Sequence, residues 1–511
     1  MTTVYLDGTG LALETVEAVA RGEPCALRLD ETARRRMEAS RALVVRWLER
    51  GERIYGVTTG FGLLSDVAVP AERIRDLQAN LVRSHASGVG APLTREETRA
   101  LMLLRANALA RGCSGVRPQV VERLLGWLEA GLHPVIPEAG SAGASGDLAP
   151  LAHLALALMG EGEVEVDGAR LPAAEALRRR GLEPLRYEAK EGLALVNGTQ
   201  GMLAVGVLAL LRAERALETA EVAGAASLEA LRGTPDAFDP LLQSVRPHPG
   251  QQASAERLRA LLADSEIRES HRYGDPRVQD AYSLRCMPQV HGAARDALAY
   301  VRRVLEIEAN SATDNPLVFP EEERVLSGGN FHGQPVAQAM DFLAIALADV
   351  MAMSERRIER LLNPALSGLP PFLARNPGLE SGLMTAQLAA VDRLVEARVL
   401  AHPASVDSVP TGGAKEDHVS MGMTAARKAR TVVAYLEDVL AVELLCAAQA
   451  LEFLAPLRPG RGVRRAHALV RERVPPLTGD RPLRPDIEAL AELVRSGRFS
   501  RLWQEDRTGG T

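Results

Sequence analysis

The chain has 511 residues, 46% hydrophobic and 25% charged, with 60 Lys and Arg against 66 Asp and Glu for a net charge of −6. These are the proportions of an ordinary soluble globular protein of about two or three domains, and they exclude wholesale disorder and collagen. They also argue against nucleic acid as the main partner, because neutralising phosphates takes a basic stripe.

The N-terminal MTTVYLDGTG has neither a basic region nor an apolar core, so no secretory leader is expected. The first 200 residues read as short helical stretches broken by Gly and polar loops. Within them Leu148 to Met159 runs helical, with Asp147 placed as its N-cap. Glu163 to Leu171 reads as a hairpin turning at Asp167-Gly168. After residue 200 the vocabulary is Ala, Leu, Glu and Arg, and long helices are expected over Gly198–Leu231, Met287–Ala309, Pro335–Leu362, Ser381–Leu400 and Val419–Ala455. A short helix follows around Pro485–Gly497. The fold class expected is mainly α: a long-helix bundle over 201–511 behind a smaller, mixed but mostly helical N-terminal domain over 1–200. The longest apolar runs, Leu154–Met159 and Phe342–Ala348, fall short of the ~20 residues that a membrane span needs. Cys25, Cys113, Cys286 and Cys446 share no metal-ligand or disulfide spacing, which suits reduced thiols in a cytoplasmic protein.

The most unusual loop is Gly140-Ser-Ala-Gly-Ala-Ser-Gly-Asp-Leu-Ala-Pro150. It lacks the lysine of a phosphate loop, and Asp147 stands where a G-x-S-x-G elbow needs its last glycine. Its chemistry suggests another use. The Gly146 amide nitrogen can attack the Ala144 carbonyl, and small residues permit so tight a bend. Loss of water from that ring and from the Ser145 side chain leaves an imidazolone with an exocyclic methylene, an electrophile made from the chain itself. A helix N-terminus beside it favours the acceptance of electrons.

Ala144-Ser145-Gly146 with Asp147-Leu-Ala-Pro150 resembles the prosthetic-group motif of the aromatic amino-acid ammonia-lyases and aminomutases. Seven further segments resemble motifs of that family in the same order: Tyr55-Gly-Val-Thr-Thr-Gly-Phe-Gly62, Asn80-Leu-Val-Arg-Ser-His-Ala86, Leu195-Val-Asn-Gly-Thr-Gln200, Val278-Gln-Asp-Ala-Tyr-Ser-Leu-Arg-Cys286, Ser311-Ala-Thr-Asp-Asn-Pro316, Gly328-Gly-Asn-Phe-His-Gly333 and Glu416-Asp-His-Val-Ser-Met421. Together they span roughly residues 50 to 425. The resemblance implies a 4-methylidene-imidazol-5-one formed from Ala144, Ser145 and Gly146, with no diffusible cofactor and no metal. It implies Arg285 as the grip on the substrate carboxylate, aided by Asn315. Tyr55 is implied as the base, a role for which an ordinary phenol needs help from its site. Tyr282 and Gln279 are implied to lie beside the prosthetic group, Asn197 to hold its oxygen, and Phe331 to pack at the substrate. A homotetramer with shared active sites is implied as well.

Two places speak to the substrate. Ser84-His85 resembles the pair of the histidine branch, where other branches carry an aromatic residue or His followed by Leu. Glu416 stands where the phenylalanine and tyrosine branch has Gln. A carboxylate suits an imidazole N–H, and is costly beside a plain phenyl ring. His402-Pro-Ala-Ser-Val-Asp-Ser408 and His248-Pro249 also resemble the histidine branch. The implied reaction is therefore non-oxidative deamination of L-histidine to trans-urocanate and ammonia, the opening of histidine catabolism. A phenylalanine or tyrosine lyase or aminomutase is the alternative, and a non-enzymatic helical scaffold the remote one. Lys415 departs from the Gln expected before Glu416, and in a chain whose only lysines are Lys190, Lys415 and Lys428 it is read as a solvated neighbour rather than as a cation holding Glu416 ionised.

Overall fold

The computed structural model describes residues 2–500, 502 and 503. Among them are twenty α-helices and nine short strands, so the chain is mainly α as the sequence implies. It divides into two compact units. The first comprises residues 1–208, 302–341 and 403–427, and the second comprises 209–301, 342–402 and 428–511.

The first unit is built around the helix Arg95–Ala110. A capping box starts it: the Thr94 hydroxyl accepts the Glu97 N–H while the Glu97 carboxylate accepts the Thr94 N–H. Every residue from Glu97 to Ala110 is buried, so this helix is the centre of the unit rather than one of its faces. Leu13–Ala20 and Pro118–Ala130 pack on it. Strand Thr2–Leu6 runs parallel to Cys25–Leu29, with Val4 opposite Leu27, and Leu13–Ala20 makes the crossover between them. The expected hairpin is present as Glu163–Val166 and Ala169–Pro172. Asp167 and Gly168 turn it with φ of 51° and 78°, the two positive values a type I′ turn requires.

In the second unit the core is ionic as well as apolar. The Glu443 carboxylate, fully buried, accepts from Arg357 Nε and Nη2, from Ser227 Oγ at 2.7 Å and from Ser354 Oγ. Each acceptor site is filled, which a buried charge demands. Arg357 Nη1 also donates to the Ser283 carbonyl at 3.3 Å and so ties down the short helix Tyr282–Arg285.

The five expected long helices form over Gln200–Ala230, Met287–Ala309, Gln334–Leu362, Met384–Leu400 and Gly422–Glu452. The last begins at Gly422 rather than Val419, because Met421 adopts a φ of 54° and the Ser420 hydroxyl accepts the Gly422 N–H. Gln334–Leu362 is long and apolar enough to cross a membrane, which run length alone did not suggest, and most of its apolar window is buried inside the protein.

One assignment changes. The sequence reading gave all of 201–511 to the bundle, but 302–341 and 403–427 belong to the first unit. They are rich in irregular backbone whose polar groups need partners. Those partners lie in the N-terminal segment: Val318 N–H donates to the Cys113 carbonyl at 2.8 Å, and Met421 N–H to the Ala142 carbonyl at 3.0 Å.

Candidate active site

Ala144 and Ser145 form the tip of a two-residue turn closed by an antiparallel bridge between Gly143 and Gly146. Segments on both sides compress it. A Cβ on Gly143 would lie 2.1 Å from Ser420 Oγ, and one on Gly146 would lie 2.1 Å from the Gly198 carbonyl oxygen. Both glycines have φ above 70°, where a side chain is strained in any case. The turn feeds directly into the helix Leu148–Leu158. These residues fit a ring closed between Ala144 and Gly146: the bend is tight, the residue supplying the closing nitrogen is a glycine, and Ser145 opens onto a cavity.

That cavity, about 620 Å³, brings together Tyr55, His85, Ser145, Asn197, Asn315, Phe331 and Glu416, with Lys415 at its wall. All belong to the first unit. His85 ends the helix Ile74–His85. Its Nδ1 lies 2.8 Å from the Leu81 carbonyl, and in the tautomer that donates there Nε2 is the acceptor. Glu416 is held by its own loop: the Thr411 hydroxyl donates to Oε2 at 2.7 Å and the Thr411 N–H to the Glu416 carbonyl at 2.8 Å. Tyr55 stands edge-on to Phe61, and its Oη accepts the Gly62 N–H at 3.3 Å. Asn315 Oδ1 accepts the Gly328 N–H at 2.8 Å. Asn197 Nδ2 donates to Asp314 Oδ1 at 3.3 Å and to the Asn315 carbonyl at 3.1 Å, so its amide nitrogen is engaged by the Asp314 loop and not by the Ala144–Gly146 turn.

Gln279, Tyr282 and Arg285 belong to the second unit. Gln279 and Tyr282 are exposed. The Arg285 guanidinium lies over the Tyr282 ring, 4.7 Å from its centroid. Its Nε is buried with no hydrogen-bond partner among the described residues, an orphaned donor suited to an incoming carboxylate. A cavity of about 670 Å³ in the same unit is walled by Ala386, Ala389, Ala390 and Val442 and touches none of the twelve residues singled out in the sequence.

Asp147 does something the sequence did not reveal. Its side chain makes no bond to its own helix. Instead Oδ2 accepts the Met202 N–H at 2.6 Å, in the first turn of Gln200–Ala230, and Oδ1 accepts the Ser141 hydroxyl at 2.8 Å. Burial pushes this carboxyl up to about 6, against the pull of those donors and the Gly201 N–H. Asp147 thus ties the Ala144–Gly146 turn to a helix more than fifty residues away.

A family model described as aromatic amino acid lyase matches residues 11–472. The chain is 58% identical over 505 residues to the histidine ammonia-lyase of Anaeromyxobacter sp. (strain K), covering 97% of this chain and 99% of that protein. Among solved structures, histidine ammonia-lyase from Trypanosoma cruzi superposes with a TM-score of 0.92 at 43% identity, over 99% of this chain and 95% of that one. Tyrosine aminomutase from Streptomyces globisporus also gives 0.92, at 41% identity, over 99% of each chain.

Proposed function

The chain belongs to the aromatic amino acid lyase family, and on that premise we propose which residues carry its carbon–nitrogen lyase activity, the elimination of ammonia from L-histidine to give trans-urocanate. The observation that carries the substrate reading is the shared cavity of Ser145, His85 and Glu416. His85 Nε2 and the Glu416 carboxylate are the two acceptors offered to the imidazole N–H. A benzene ring would leave this acceptor and this charge without partners, and a phenol O–H could serve only one of them.

The remaining roles follow from chemistry. Arg285 grips the substrate carboxylate with a bidentate guanidinium, and Asn315 assists. Tyr55 Oη, held by the Gly62 N–H, takes the β-proton. Asn197, Gln279 and Tyr282 border the prosthetic group, and Phe331 packs against the substrate. Ala144, Ser145 and Gly146 supply that group, 4-methylidene-imidazol-5-one, whose exocyclic methylene serves as the electrophile. The compressed turn supports its formation, since Gly146 is already pressed back toward Gly143.

A homotetramer with shared sites is part of this proposal. Gln279 and Tyr282 are exposed on the second unit, and Leu388, Val395 and Val399 line one exposed face of Met384–Leu400, an apolar stripe suited to a partner helix.

The test is to incubate the purified protein separately with L-histidine, L-phenylalanine and L-tyrosine, then separate the products and assay ammonia. Urocanate and equimolar ammonia from L-histidine alone support the assignment. An arylacrylate or a β-amino acid from an aromatic substrate would overturn the pocket reading. No product from any of the three would overturn the enzymatic reading itself.

A further inference from the structure

Lys190 and Asn197 sit at the two ends of one short helix, Glu191–Val196, as its N-cap and C-cap. Six residues span about 9 Å, yet both side chains converge on a single carboxylate, that of Asp314. Lys190 Nζ donates to Oδ2 at 2.5 Å. Asn197 Nδ2 donates to Oδ1 at 3.3 Å, and the Asn315 N–H donates to the same oxygen at 2.7 Å. The Asn315 carbonyl then accepts the remaining Asn197 N–H at 3.1 Å. A second tie runs beside the first: buried Arg105 donates to Gln200 Oε1 at 2.6 Å, and Gln200 Nε2 donates to Thr313 Oγ1 at 2.9 Å. The segment carrying Asn197 is thereby bound twice to the loop carrying Asn315.

Stability is a poor reason for this arrangement. Lys190 is fully buried and Asp314 nearly so, and an ion pair taken out of water loses in desolvation much of what it gains in attraction. Lys190 also holds a φ of 73°, in the left-handed region where a side chain is strained. In a chain that uses arginine for nearly every cation, a lysine here supplies a compact charge at one oxygen and leaves the other to the two asparagines.

We propose that Lys190 and Asp314 are positioning residues that act through Asn197 and Asn315, fixing both asparagines against the reaction cavity. Lys190 anchors the carboxylate, and the carboxylate orients the Asn197 amide and the Asn315 backbone. The proposal rests on the ammonia-lyase reading above.

The test is a double-mutant cycle on the full-length protein, with kcat and KM for L-histidine, the near-ultraviolet band of the prosthetic group and a thermal melt as readouts. Lys190→Met is expected to lower kcat about 30-fold and to leave KM within about threefold. Placed on an Asn197→Ala background, the same change is expected to lower kcat less than about threefold, because its route is already gone. The near-ultraviolet band is expected to shift with Lys190→Met alone, and not further on the Asn197→Ala background. Lys190→Met/Asp314→Asn removes both charges, so it keeps the core neutral if the single variant fails to fold, and it is expected to lose the same kcat while melting as a folded protein. Equal losses on both backgrounds, an unchanged kcat, or failure of the neutral pair to fold would overturn the proposal and leave the pair a core element. Wild-type protein inert toward L-histidine would instead overturn the reading on which it rests.

Discussion

Gly146 and Gly198 meet backbone to backbone. They form a parallel bridge, and the space for a side chain on Gly146 is already filled by the Gly198 carbonyl oxygen at 2.1 Å. That contact presses the end of the Ala144–Gly146 turn inward. The adjoining Asp147 N–H reinforces it by donating to the same Gly198 oxygen at 2.7 Å.

Gly146→Ala is therefore expected to block ring closure without unfolding either unit. The variant should lack the near-ultraviolet band. Its intact mass should exceed that of wild type by the methylene the substitution adds, plus the water lost on ring closure and the water lost from the Ser145 side chain. A normal band and mass in Gly146→Ala would refute the role given to this contact.

In the proposed function, substrate choice rests on His85 and Glu416. Sites built to hydrogen-bond a ring reject analogues lacking that bond by several orders of magnitude. His85→Leu/Glu416→Gln is expected to lower kcat/KM for L-histidine by about 10³ or more, and to raise it for L-phenylalanine or L-tyrosine. Steady-state kinetics on the three amino acids decides this. An unchanged preference would place ring recognition elsewhere.

Asp147 makes a pH prediction. Its folded carboxyl is pushed up from 3.8 to about 6 by burial, so between those values the folded state holds a proton that the unfolded chain has released. Stability tied to this group is present below about pH 4 and is lost as pH rises through 6, amounting to about 3 kcal/mol. Asp147→Asn carries no such dependence. Its stability relative to wild type is expected to grow by that amount between pH 4 and pH 7, measured by urea denaturation. A constant difference over that range would contradict the assignment.

The Arg357–Glu443 pair predicts an asymmetry. Arg357→Met strands a fully buried carboxylate and is expected to cost about 3–5 kcal/mol. Arg357→Met/Glu443→Leu removes both charges and is expected to recover most of that loss. Urea midpoints of the second unit's transition report both values.

Long helices were legible because Pro and Gly punctuate them and their apolar residues recur with helical spacing. The cavity residues were legible for a different reason: Tyr55, His85, Ser145, Asn315 and Glu416 each stand inside a run resembling a family motif. What spacing does not encode is which charge meets which. Lys190 and Asp314 are 124 positions apart, and nothing local to either announces the other. Asp147 takes the N-cap position that an Asp before an apolar run signals, but its carboxylate serves the neighbouring helix at Met202, which no local pattern announces. The placement of 302–341 and 403–427 escaped sequence reading because it depends on where irregular backbone finds hydrogen-bond partners, a tertiary property.

The most direct test of the account is near-ultraviolet absorbance against time for wild-type protein and Ser145→Ala, each mixed with L-histidine under the same conditions. The account predicts a steadily growing urocanate band with wild type and a flat trace with Ser145→Ala, both proteins showing the same helical circular dichroism. Equal growth in the two traces would contradict the prosthetic-group assignment, and no growth in either would contradict the reaction.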